Sequence, residues 1–288
     1  MFSRFNRTII ATFFAAALAG GAAAQAAPQP TPKVQETPKP QDNKPVDIAP
    51  LLTKQGSAST AEQVAEATVF FYGFPGFVTS PMGRDRLNQI RKTTLEKGKI
   101  VVTAADGKTE QATYQRFIVR GENQAKEKIR LEQDFPSAKY SLVFKDEKIF
   151  GIYNNTVFTP REDASRSFEN QMFHGLEALL RYKENGSEIA LQPKEKILGV
   201  EYYVLDVTDK QQRKTRFYIS TKSFHIMMLT YDDAGVTYKR KFYDYNQAQG
   251  TLVPYRTVLW AADKQIEETE VGTITFGQKV DDGLFNQG

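Results

Sequence analysis

The chain contains no cysteine. That excludes disulfides, thiolate metal sites and a thiol for lipid attachment, so an exported form of this protein must rely on its core alone. Histidine is nearly absent as well. His174 and His225 are the only two, they lie on separate expected elements, and no ligand spacing links them. No G-x-S-x-G, Walker loop or H-E-x-x-H occurs. Like-charged blocks are missing: lysines and arginines alternate with acids, which argues against a nucleic-acid footprint. Long apolar runs are missing too. The run Ile9 to Leu18 is too short to hold a bilayer-spanning anchor.

That short run has a different meaning. Arg4 and Arg7 precede it, and small residues ending in Ala22-Ala23-Ala24 follow. A basic start, an apolar stretch and an A-x-A site predict a secretory signal peptide over residues 1–24 and a periplasmic mature chain. Its removal takes Arg4 and Arg7 away, so the formal charge falls from +4 to +2. Residues 25–59 carry Pro28, Pro30, Pro32, Pro38, Pro40, Pro45 and Pro50 among Gln, Lys, Thr and Glu, which predicts a semi-extended linker. Residues 60–288 are then one domain large enough for a sizeable core.

The domain opens with an expected helix over 61–72, with Thr60 as N-cap and Gln63 as its capping-box partner. Gly73-Phe74-Pro75-Gly76 stops it. A helical turn is expected over 84–89, then short strands up to Thr159. Helical spacing of Phe168, Met172, Leu176 and Leu179 predicts one long helix over 166–182, closed by Asn185-Gly186. Strands follow near 188–198, 200–208, 213–220, 224–232, 236–246, 252–261 and 264–277, with hairpin turns at 232–235 and 261–264. Tight turns between consecutive strands imply an antiparallel sheet. One sheet with few helices must curl to hide a face. The expected fold class is therefore mainly β (α+β): a curled antiparallel sheet forming an incomplete β-barrel closed by helices.

Alternation along the late strands divides their faces. Tyr203, Leu205 and Val207 share one, as do Phe217 and Ile219; Val236, Tyr238 and Phe242 share a face with Arg240. Leu252, Val258 and Trp260 share a face with Arg256, and Ile266, Ile274 and Phe276 with Glu268 and Glu270. Strand 224–232 is apolar on both faces, so its period selects neither. In the run Glu267, Glu268, Glu270 the first residue faces away from the other two on a strand, and the run reads as a solvated strand face rather than a catalytic carboxylate pair. The apolar face is either an ordinary core filled by the protein's own helix or the wall of a cavity able to take an acyl chain. For the cavity the candidate ligand-binding residues are Phe168, Met172, Leu176, Tyr203, Leu205, Phe217, Ile219, Phe242 and Trp260, with Phe173, Met227 and Met228 also suited. No catalytic residue, metal ligand or cofactor is expected.

Several segments carry a resemblance. These are Ile90 to Ile100, Gly199 to Val207, Phe217-Tyr218-Ile219-Ser220 with Lys222 to Ile226, and Phe242 to Asn246 with Gly250 to Arg256. Together with the signal segment and opening helix, they make residues 60–288 resemble the LolA/LolB-like superfamily of periplasmic lipoprotein-sorting carriers. The resemblance implies an incomplete barrel whose apolar cavity holds acyl chains of a lipoprotein or lipid. It also implies partners among inner- or outer-membrane envelope proteins, and no enzymatic step. The competing expectation is a structural or sensory envelope module of the same fold that binds a protein partner. A hydrolase whose carboxylates meet only on folding is the third.

Overall fold

The computed structural model describes residues 47–49, 59–73, 83–104 and 106–286. The expected signal peptide, nearly all of the Pro-rich linker and the Phe74-Pro75-Gly76 stop lie outside the described residues. The part of the linker that is described touches the domain: Ile48 packs against the main core, and the Asp47 carbonyl accepts from the Gln63 amide at 3.1 Å.

Helix α1 (Ala61–Gly73) starts as its capping box dictates. The Thr60 hydroxyl accepts from the Gln63 backbone N–H at 3.1 Å, and the Gln63 side chain accepts from the Thr60 N–H at 3.0 Å. Helix α2 (Gly83–Ile90) leads into a meander of six strands: β1 (Thr93–Thr103), β2 (Thr109–Val119), β3 (Lys128–Asp134), β4 (Lys139–Lys145), β5 (Lys148–Tyr153) and β6 (Thr156–Phe158). Three helices follow, α3 (Glu162–Phe173), α4 (Leu176–Leu180) and α5 (Tyr182–Asn185). A second meander closes the chain: β7 (Glu188–Ile197), β8 (Val200–Thr208), β9 (Lys214–Ser220), β10 (Ile226–Asp233), β11 (Val236–Ala248), β12 (Thr251–Ala261) and β13 (Lys264–Phe276).

The expected single helix over 166–182 is in fact three pieces starting earlier. His174 ends α3: its Nδ1 lies 2.7 Å from the Thr215 hydroxyl and its ring stacks on Tyr231 at 4.1 Å between centroids. Tied to β9 and β10, His174 cannot continue the spiral, and Gly175 takes an extended conformation, a step to which glycine offers little resistance. Gly186, at φ 63°, ends α5 in the left-handed region where glycine is favoured.

All 13 strands form one antiparallel sheet in the order β6-β5-β4-β3-β2-β1-β13-β12-β11-β10-β9-β8-β7. Among the described residues, the two meanders pair only where β1 meets β13, from Thr94 opposite Phe276 to Val102 opposite Glu267. Strands β6 and β7 are the two free edges, so the barrel is incomplete. The link between them, α3 to α5, runs from one edge to the other and covers the concave face.

Two cores lie under that cover. The first gathers Val64, Val69 and Tyr72 of α1 and Leu179 of α4 against Leu205, Phe217, Ile219 and Leu229 of the sheet. The second packs Phe168 and Phe173 of α3 on Ile100, Ile129, Leu131 and Phe144. A bulge explains the doubly apolar β10. Register slips between Ile226 and Met228, so Ile226, Leu229 and Tyr231 all turn inward while Met227 and Met228 stay half-buried.

Candidate functional site

Between the two cores lies a cavity of about 210 Å³. The crossover supplies one wall, with Phe168, Gln171 and Met172 of α3 and then Gly175, Leu176 and Glu177. The sheet supplies the other, including Arg240 and Phe242 of β11, Thr257 of β12, and Glu267 and Thr269 of β13. Pro254 also faces it. Pairing of β12 with β13 starts only at Arg256, so the missing N–H of Pro254 falls where β12 has left β13.

The expected ligand residues divide three ways. Phe168, Met172, Leu176 and Phe242 line the cavity. Tyr203, Leu205, Phe217 and Ile219 do not: they are buried in the core around α1, and the last three are wholly inaccessible at 0 % exposure. This half of the barrel is filled by α1 together with the end of the 166–182 segment, Ala178, Leu179, Leu180 and Tyr182. Trp260 lies on the other face of the sheet. It pairs across with Lys239, and the Lys239 and Lys241 ammonium groups sit 5.6 and 5.4 Å from its ring centroid. Phe173 packs edge-on against Phe144, with the Arg213 guanidinium 3.6 Å from its ring centroid.

The cavity is more charged than an acyl slot needs to be. Arg91, buried in the turn between α2 and β1, donates to Glu177 at 2.7 Å, to the Thr251 hydroxyl at 3.0 Å and to the Leu252 carbonyl at 2.7 Å. Arg120 donates to the other Glu177 oxygen and to Asn88. Burial pushes the Glu177 carboxyl upward, but the Arg120 and Arg91 guanidinium groups outweigh it and hold the acid below its ordinary range. The neighbouring pair behaves oppositely. Glu127 accepts from Arg181, yet it is so buried that desolvation pushes it up to about 7 against the pull of Arg181 and Arg120. His174 is pushed down to about 4, first by burial and then by Arg240 and Arg213. Its ring is therefore neutral at ordinary pH.

Glu267 corrects the reading of β13. A bulge shifts the register between Lys97 and Gly98, so Thr273 pairs with Lys97 and Val271 with Gly98. The inner face is Glu267, Thr269 and Val271 before the bulge, and Ile274 and Phe276 after it. Glu268 and Glu270 point away, Glu268 accepting from Arg256 at 3.1 Å. One member of the supposed solvated acidic face thus lines the cavity.

The arrangement defines a class: a half-open antiparallel barrel, closed by a helical crossover, with a small charged-and-apolar cavity beneath it. No family model and no curated protein matches the chain. Solved structures do. A DUF1329 family protein from Desulfovibrio piger superposes with a TM-score of 0.57 at 12% identity, over 80% of this chain and 98% of that one. A LolA superfamily protein from Nitrosomonas europaea gives 0.56 at 14%, over 80% and 98%. The chain has a divergent LolA-like fold.

Proposed function

We propose that the chain is a periplasmic, non-enzymatic carrier or binding protein for a ligand with an acyl chain, held non-covalently between the sheet and the α3–α5 crossover. The LolA-like fold supports the reading, and the signal-peptide pattern of residues 1–24 supports the compartment. The observation that carries it is the cavity itself: Phe168, Met172, Leu176 and Phe242 converge on it from cover and sheet. Burying an acyl chain there gains about 0.8 kcal/mol per methylene. At about 210 Å³ the cavity is smaller than the ~300 Å³ lower bound of ordinary ligand pockets, so full loading moves the cover outward. The break at His174–Gly175 is the place where α3 can swing without dragging α4 from the core.

Native mass spectrometry of protein purified from the periplasm, with lipid extraction, tests this. A bound lipid or acylated peptide is expected, and Met172→Glu loses it while the fold persists. A clean unliganded mass that survives incubation with lipids and lipopeptides sinks the reading.

The second reading is a module that binds a protein partner. It is favoured by the free edge β6, where Val157 and Phe158 stay 38 and 36 % exposed beside Tyr153 at 48 %. Its mark is loss of a captured envelope protein on Val157→Lys, with lipid content unchanged.

A further inference from the structure

Most charges of the cavity have partners in the protein. Arg91 uses all three guanidinium nitrogens, and Arg116 donates to Glu96 at 3.4 Å and Gln171 at 3.2 Å. Arg240 differs. It stands on the inner face of β11, two residues before Phe242, lines the cavity and is 6 % exposed. One terminal nitrogen donates to the His174 carbonyl at 3.2 Å, and among the described residues Arg240 has no other hydrogen bond and no ion pair. A guanidinium carries five N–H donors in a fork shaped for a carboxylate or phosphate. The unbonded nitrogens of Arg240 are not sealed from solvent, so they open onto the cavity, within reach of an anion.

The cavity's own acid on this part of the sheet does not fill the gap. Glu267 and Arg240 both pair with Leu259, from opposite sides, so their backbones stand about 10 Å apart at two strand spacings. Glu267 accepts instead from Gln171 and Thr269, each at 3.4 Å. Thr257 pairs with Phe242 and faces the same cavity, and its hydroxyl has no side-chain partner among the described residues.

Resting on the acyl-ligand reading above, we propose that the cavity binds a single-chain amphiphile with an anionic oxygen head, a carboxylate or a phosphate monoester. The head accepts from the Arg240 guanidinium and the Thr257 hydroxyl. The tail runs over Phe242 toward Met172 and Phe168. The volume of about 210 Å³ favours one chain over two.

Titration calorimetry with laurate, dodecanol and a lauroyl lysophosphatidate, on the wild-type protein and on Arg240→Met and Thr257→Val, tests the assignment. Laurate or the lysophosphatidate is expected to bind at least about 10-fold tighter than dodecanol, the size of a charged hydrogen bond gained. Arg240→Met erases that preference while still binding dodecanol, and Thr257→Val narrows it. The tighter of the two anions identifies the head. Equal binding of laurate, lysophosphatidate and dodecanol to the wild type overturns the anion site and leaves the acyl reading standing. Binding of none of the three overturns the acyl reading and the anion site with it. Ligand-free Arg240→Met is expected to melt close to the wild-type temperature, since the guanidinium holds one hydrogen bond and no ion pair within the described residues. A marked fall would make Arg240 a structural residue and overturn the proposal.

Discussion

Replacing Glu177 by glutamine isolates the ion-pair hub that fastens the crossover to the sheet. In the wild type, one carboxylate oxygen accepts from Arg91 at 2.7 Å and the other from Arg120. The amide retains one acceptor and loses the charge, leaving two guanidinium groups facing each other. Breaking a fully buried pair costs about 3–5 kcal/mol. The Glu177 side chain is 25 % exposed, and Arg91 and Arg120 retain bonds to Thr251, Leu252 and Asn88, so we expect about 2–3 kcal/mol here. For a domain of this size that lowers Tm by about 5–10 °C. Urea unfolding followed by circular dichroism measures it. The pH dependence has a definite sign. A carboxyl held below its ordinary range contributes stability that is present above the unfolded-state pKa and is lost as pH falls through the folded one. The wild type therefore sheds this increment in acid, and Glu177→Gln does not. Adding Arg120→Met should recover part of the loss, because the repulsion with Arg91 goes with it. A Glu177→Gln protein within about 0.5 kcal/mol of wild type at neutral pH, with a parallel pH profile, refutes the hub.

The remaining expectations concern other parts of the frame. Glu127 is pushed up to about 7, so its ionisation weakens the fold as pH rises through that value; urea midpoints at about pH 5.5 and about pH 8 should differ in the wild type and differ less in Glu127→Gln. Gly98→Ala should destabilise by about 2 kcal/mol or more in urea, because its Cβ would lie 2.8 Å from the Tyr114 ring and against the Glu270 carbonyl at the β1–β13 seam. Thr60→Ala should remove about 1 kcal/mol with the capping box, read as the same midpoint shift.

Much of the frame was legible because it rests on local rules. The Thr60–Gln63 box, the turns at 232–235 and 261–264, and the glycine after Asn185 each announce an element boundary by their own chemistry. Their sequence of tight turns was enough to imply an antiparallel, curled sheet. The site was legible only in part. Phe168, Met172, Leu176 and Phe242 face the cavity as their spacing suggests, but Phe217 and Ile219 have the same character and serve the core around α1. Nothing in a strand's period says which helix covers it. Bulges defeated the period outright at Met227 and between Val271 and Thr273, where a one-residue slip exchanges the faces and brings Glu267 inside. The break at His174 depends on Thr215 and Tyr231, some forty residues and more away, so no local window contains it. One signal was present: Arg240 shares the apolar face of β11 with Tyr238 and Phe242, and a lone cation on such a face marks a polar task within the barrel.

The β1–β13 seam also sets an order of events during folding. Strand β13 follows every other strand in the chain, yet it is the piece that joins the first meander to the second. Until it pairs, β1 and β12 are two raw edges, each able to recruit a strand from another molecule. The contacts it makes with β1 span most of the domain, the kind of pairing that forms slowly. A chain cut before Lys264 would thus hold two half-sheets with no strand to join them, open to aggregation and to proteases.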